Sequence, residues 1–228
     1  MEKKYHMKLQ SKYNINFVIG SILSGAFIHL GFLFSNVVSE NILISGIVFS
    51  IGIILVQLTN SVLFTSYTRN AVINDIAGIS LSLILISLAS CFILNFIGIF
   101  LIPLNLIIPN ITNAIALKNS YSIYELFQRG FMCNFIICML GHINSKIKDT
   151  LPKIVISIML ISCFIVLKME HSIANMCIYV YGIKQGITTI QCAFRNIAIV
   201  ASGNLVGGAI ISYLLIFKEI KNVNFKNK

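Results

Sequence analysis

The chain alternates long apolar runs with short polar connections, and the length of each run decides what it can be. The runs at 15–38, 79–108, 122–144 and 196–217 are predominantly apolar and reach or exceed the ~20 residues that a helix needs to cross a bilayer. Two more, 42–66 and 153–182, are as long but are cut by polar stretches, LTNSVLFTS at 58–66 and LKMEHSIAN at 167–175. Read as single interrupted spans, they bring the number of crossings to six. A membrane barrel would show short segments of alternating hydrophobicity instead. The pattern therefore predicts an all-α integral membrane protein whose second and fifth helices are broken.

Composition sharpens this. Of 228 residues, 57% are hydrophobic and 11% charged, with a mean hydropathy of +0.90; a soluble domain carries about 25% charged residues. The net charge of +10 would suit a nucleic-acid partner, but its placement argues against one. Lysines gather near the two ends (Lys3, Lys4, Lys8, Lys12; Lys218, Lys221, Lys226, Lys228) and in one loop (Lys146, Lys148, Lys153), as on the cytoplasmic side of membrane proteins. An even number of crossings puts both ends on that side. Loop 145–153 then lies inside, and 109–121 and 181–195 lie outside. The expected organisation is a cytoplasmic segment 1–14, a six-span domain 15–218 and a cytoplasmic tail 219–228, in the cell membrane. No cleavage site for a signal peptide follows the first dozen residues. The six cysteines are scattered, without metal or disulfide spacing. No cofactor is implied, and no nucleophile–base arrangement suggests an enzyme.

The two breaks fall at matching places. From Gly25 to Thr65 is 40 residues, and from Gly130 to His171 is 41. That suggests a repeat of three spans plus three, about 15–115 and 120–218, inverted because three is odd. Interrupted helices at corresponding positions point to a transport site near the midplane, since irregular backbone at that depth must be buried in protein or line a cavity. His171 is then a functional candidate, because an ionisable group inside a membrane segment costs about 2.5–3.5 kcal/mol on insertion scales.

In order along the chain, GAFIHLGF (25–32), LFTS (63–66), NFIG (95–98), RGFMCNFIIC (129–138), MEHSIANM (169–176) and GNLVGG (203–208) resemble the motifs of the formate/nitrite transporters. The resemblance covers nearly the whole chain and implies an aquaporin-like fold, a homopentamer with one pore per protomer, and passage of small monovalent anions such as formate, nitrite or hydrosulfide. It assigns His171, Thr65 and Asn134 to the pore centre and Phe49, Ile53, Leu63 and Phe164 to its constrictions. Lys118 falls at the outer vestibule. Val62, Val180 and Ala198 depart from the family pattern.

Physical chemistry adds roles to these positions. Apolar constrictions pass a bare anion poorly, because desolvating a charge costs several kcal/mol; a neutral weak acid avoids most of that. Lys118 and the half-helix N-termini would attract the anion, and His171 with Thr65 would organise its proton. Glu170 is expected to cap the second half-helix, with Ser172, Asn175 and Asn204 supporting the break. The competing readings are a membrane enzyme with His171 and Glu170 as acid and base and a plain scaffold with these residues as interhelical glue, and segment 1–14 is a candidate gate.

Overall fold

The computed structural model describes residues 15–38 and 40–226, so the expected gating segment 1–14 lies outside the described residues. Among them are nine helices: α1 (Ile15–Val37), α2 (Ile42–Leu58), α3 (Phe64–Ile76), α4 (Leu81–Ile99), α5 (Ile111–Ser120), α6 (Ile123–Asn144), α7 (Thr150–Val166), α8 (Ser172–Lys184) and α9 (Ile190–Lys226). Four of them, α1, α4, α6 and α9, are long and apolar enough to cross a membrane, and α2 and α7 are shorter apolar helices. Large apolar side chains such as Leu85 and Ile93 on α4, and Leu151 and Met159 on α7, face outward, as they do where the surroundings are not water.

Local chemistry sets the boundaries. α6 starts at a capping box in which Ser122 Oγ accepts from the Glu125 N–H while the Glu125 carboxylate accepts from the Ser122 N–H. Asn60 and Lys168 have φ of 52° and follow the ends of α2 and α7, left-handed residues of the kind that terminate helices. Gly78 and Gly186, at φ 79° and 68°, do the same after α3 and α8. The breaks are thus tighter than the sequence suggests, at 59–63 and 167–171, and Thr65, Ser172 and Asn175 sit inside the helices that follow.

Three further boundaries differ from expectation. The apolar run 79–108 is not one helix: α4 stops at Ile99, because Pro103 and Pro109 in the continuing stretch cannot extend it. A separate helix, α5, then forms inside the stretch read as a connection. The last helix exceeds the expected 196–217 at both ends, since hydropathy locates only the apolar part of a helix that continues into polar ends.

The long helices pack in two close pairs, α1 with α4 and α6 with α9. Glycine makes both possible: a Cβ on Gly98 would run into the Ile22 carbonyl of α1, and one on Gly207 into the Phe131 carbonyl of α6.

Candidate functional site

Each break is held by one buried asparagine from a long helix. Asn204 of α9 donates to the carbonyls of Gly130 (2.7 Å) and Glu170 (3.0 Å) and accepts from the Ser172 N–H (3.0 Å). Asn95 of α4 donates to Ser21 O (2.7 Å) and Val62 O (3.0 Å) and accepts from the Phe64 N–H (2.8 Å). Both asparagines are fully buried. The Val62 N–H donates to Gly20 O, and the Glu170 N–H to Arg129 O. Backbone groups freed by the breaks therefore find partners inside the protein, which a membrane interior demands. By these bonds Leu63 corresponds to His171, since each is the N-cap of its second helix; Thr65, which was aligned with His171 by spacing, sits two residues further on.

The first turns of α3 and α8 meet. His171 Nε2 lies 2.9 Å from Thr65 Oγ1, and both side chains are buried. His171 Nδ1 accepts from the Ala174 N–H at 3.1 Å, which caps α8 and assigns the neutral imidazole proton to Nε2. His171 then donates to Thr65, whose own hydroxyl hydrogen is left for another acceptor. Two positive helix ends converge here, an arrangement that favours an anion.

Apolar side chains surround this contact. Phe164 of α7 stands edge-on to the His171 ring at 6.4 Å between centroids, and the Phe49 ring of α2 is 6.0 Å from Phe164. Ile53 and Leu63 are buried in the same core. Of the constriction residues named from the sequence, Phe164 meets His171, Phe49 packs on Phe164, and Ile53 and Leu63 lie in the buried core that includes both rings.

Lys118 is not a free cation. Its Nζ donates to both Glu170 oxygens at 2.8 Å and to Asn175 Oδ1 at 2.9 Å; Lys118 and Glu170 side chains are only 12% and 3% exposed. Asn175 Nδ2 donates in turn to Glu170 (2.5 Å) and to Asn196 Oδ1 (2.7 Å). The expected cap role of Glu170 is therefore corrected: its carboxylate serves Lys118 and Asn175, and His171 is the cap. Asn175 bonds side chains, not the freed backbone, and the buried Ser172 hydroxyl has no partner among the described residues. Asn134 is likewise engaged, donating to Asn204 O (2.7 Å) and Thr68 Oγ1 (3.3 Å), which ties α6 to α9 and α3.

Two features were missed in the sequence. Asn95 has the same role as Asn204, and the repeated pattern Asn-x-x-Gly in NFIG and NLVG was the available signal. His29 is fully buried, with Nδ1 2.8 Å from Ile99 O and Nε2 3.0 Å from Tyr181 Oη, which joins α1, α4 and α8. No group of His, Cys, Asp and Glu among the described residues suits a metal ion.

Paired half-helices meeting at a buried polar contact, inside a bundle with apolar outer faces, define a multi-pass membrane protein of the channel or transporter type. The family model "Formate/nitrite transporter" matches residues 1–217, and the chain belongs to that family. It is 27% identical over 200 residues to the formate channel FocA of Haemophilus influenzae, covering 74% of this chain and 70% of that one. A 90-residue stretch is 33% identical to the transporter YwcJ of Bacillus subtilis (strain 168), covering 38% of this chain and only 35% of that protein. The solved structure of a pentameric formate channel with formate bound superposes with a TM-score of 0.75 at 21% identity, covering 91% of this chain and 98% of the other.

Proposed function

We propose that this protein is a channel or proton-coupled carrier for small monovalent weak-acid anions, formate first, with nitrite and hydrosulfide as the alternatives within the family. The observation that carries this reading is the His171–Thr65 hydrogen bond between two converging helix N-termini, with Phe164 edge-on to His171, Phe49 against Phe164, and Ile53 and Leu63 in the same buried core. Converging helix ends lower the energy of a monoanion at the centre, while the apolar wall opposes passage of a bare charge. Protonation reconciles the two demands. The anion accepts a hydrogen bond from the Thr65 hydroxyl, is neutralised by a proton that enters with it from the aqueous side, and leaves as HX, while Thr65 and neutral His171 keep their own protons and the bond between them.

The corresponding architecture is six spans in an aquaporin-like inverted repeat of three plus three. At 1.5 Å per residue, the 17 residues of α2 or α7 and the 13 residues of α3 or α8 together reach about 45 Å, enough to cross a bilayer core of ~30 Å with its interfaces. The two asparagine clamps support the repeat. In this reading both termini are cytoplasmic, the membrane is the cell membrane, and five copies assemble as in the formate channel it resembles.

Transport by purified protein in liposomes, with His171→Asn and His171→Phe compared, tests this. Asparagine can take over the cap that His171 Nδ1 provides to the Ala174 N–H, although its amide stops short of Thr65; phenylalanine loses both bonds. The reading expects His171→Asn to retain more formate flux than His171→Phe. Equal flux in both variants and wild type at every pH would remove His171 from the mechanism.

A further inference from the structure

The functional reading so far engages only one cation, Lys118, and all three of its donors are taken by Glu170 and Asn175. A second cation lies at the other end of the path. Arg69 follows Thr65 by four residues on α3, one turn further from the His171 contact and on the same face. Helix α6 runs alongside: Cys138 Sγ donates to Thr65 O at 3.4 Å, and two turns on, Ser145 Oγ accepts from Arg69 Nη2 at 3.3 Å.

This end of the bundle is polar across several helices. Gln57, one turn beyond Ile53 on α2, accepts from Asn144 Nδ2 at 3.1 Å and from Ser157 Oγ of α7 at 2.8 Å. Beyond the apolar wall, then, a set of side chains that can solvate an ion gathers.

The set is incomplete as it stands. Of the six buried side-chain polar atoms without a partner among the described residues, three belong here: Arg69 Nε, His142 Nδ1 and Asn144 Oδ1. Buried polar atoms are nearly always paired, so a cluster of open ones marks a place for something else. The guanidinium has five N–H donors, and among the described residues only Ser145 takes one. The nearby carboxylate, Glu219, is held by His142 (3.0 Å) and by Lys146; no carboxylate among the described residues is within ion-pair distance of Arg69.

We propose that Arg69 forms a second substrate site, at the end of the passage opposite Lys118, and that it recognises planar two-oxygen monoanions such as formate and nitrite. A guanidinium fork meets two coplanar oxygens with two parallel hydrogen bonds. Hydrosulfide has one heavy atom and accepts from the fork at a single point. The open acceptors of Asn144 and His142 hold the water that accompanies the ion. The site deepens the functional reading above and rests on it.

Arg69→Lys and Arg69→Gln, each purified as a monodisperse full-length protein and reconstituted, test the site, with half-saturation and maximal rate measured for formate and for hydrosulfide. Lysine keeps the charge and loses the fork. Arg69→Lys should raise the half-saturating formate concentration roughly ten-fold, the loss of one charge-assisted hydrogen bond, and shift hydrosulfide by less than about two-fold. Arg69→Gln should raise it further. Equal shifts for both ions, no shift for either, or a wild type that passes hydrosulfide and not formate would each overturn the site. A wild type that passes neither ion, nor nitrite offered in the same assay, overturns the functional reading itself, an outcome distinct from an active wild type indifferent to Arg69.

Discussion

Removing Lys118 should destabilise the protein before it changes anything else. In Lys118→Met the Glu170 carboxylate, 3% exposed, loses the ammonium that meets both of its oxygens. Breaking a buried ion pair from one side costs about 3–5 kcal/mol, because the remaining charge is left uncompensated. Asn175 Nδ2 still donates to Glu170, which points to the lower end, about 3 kcal/mol. The double variant Lys118→Met/Glu170→Leu removes both charges. Asn175 then loses two partners but keeps Asn196, so the double should lie within roughly 1–2 kcal/mol of wild type. The assay is the unfolding free energy of each variant in mixed micelles of rising SDS content. A Lys118→Met protein as stable as wild type but poor in anion flux would refute the reasoning, since that is how an unpaired attracting cation behaves. So would a double variant that is less stable than either single one.

Asn204→Ala removes three interhelical bonds, each worth about 0.6–1.7 kcal/mol in a membrane, and the same SDS titration should show a loss of about 2–5 kcal/mol. Asn95→Ala should cost a similar amount, since it removes the matching three bonds at the other break; a change within error of zero for either would deny the clamp. Gly98→Leu should yield little monodisperse protein by size-exclusion chromatography, because the new side chain meets the backbone of α1; normal yield would mean that the pair is looser than described. Phe49→Ala opens one wall of the site while sparing His171, so reconstituted flux should rise several-fold with weaker discrimination among anions, and unchanged flux would place the constriction elsewhere.

Much of this arrangement was legible in the chain, and the reasons differ from residue to residue. Breaks near 58–66 and 167–175 announced themselves because polar residues inside an apolar run have few other uses. His171 and Thr65 were found by motif, and the structure joins them directly. Partners across helices were not legible. Glu170 is adjacent to the helix it was expected to cap, yet its carboxylate turns to Lys118, 52 residues away in sequence; sequence neighbourhood favours a cap, while burial demands a counter-charge. The register between the two breaks was not legible either. Spacing aligns Thr65 with His171, but the asparagine clamps align Leu63 with it, so the two breaks place different chemistry at one backbone position. Arg69 went unremarked because one arginine after an apolar motif reads as the end of a span, and only its open donors beside Ser145 and Asn144 say otherwise.

In the proposed mechanism, substrate crosses the apolar wall as neutral acid after meeting Thr65 and His171. Internal pH and formate content, recorded together in liposomes carrying the purified protein while the membrane potential is clamped at several values, test it most directly. Transport of the neutral acid gives internal acidification in step with formate uptake, faster as external pH falls, indifferent to potential, and strongly reduced in His171→Phe. Formate uptake that follows the potential without acidification would mean that the bare anion crosses and that no neutral acid is formed at Thr65 and His171.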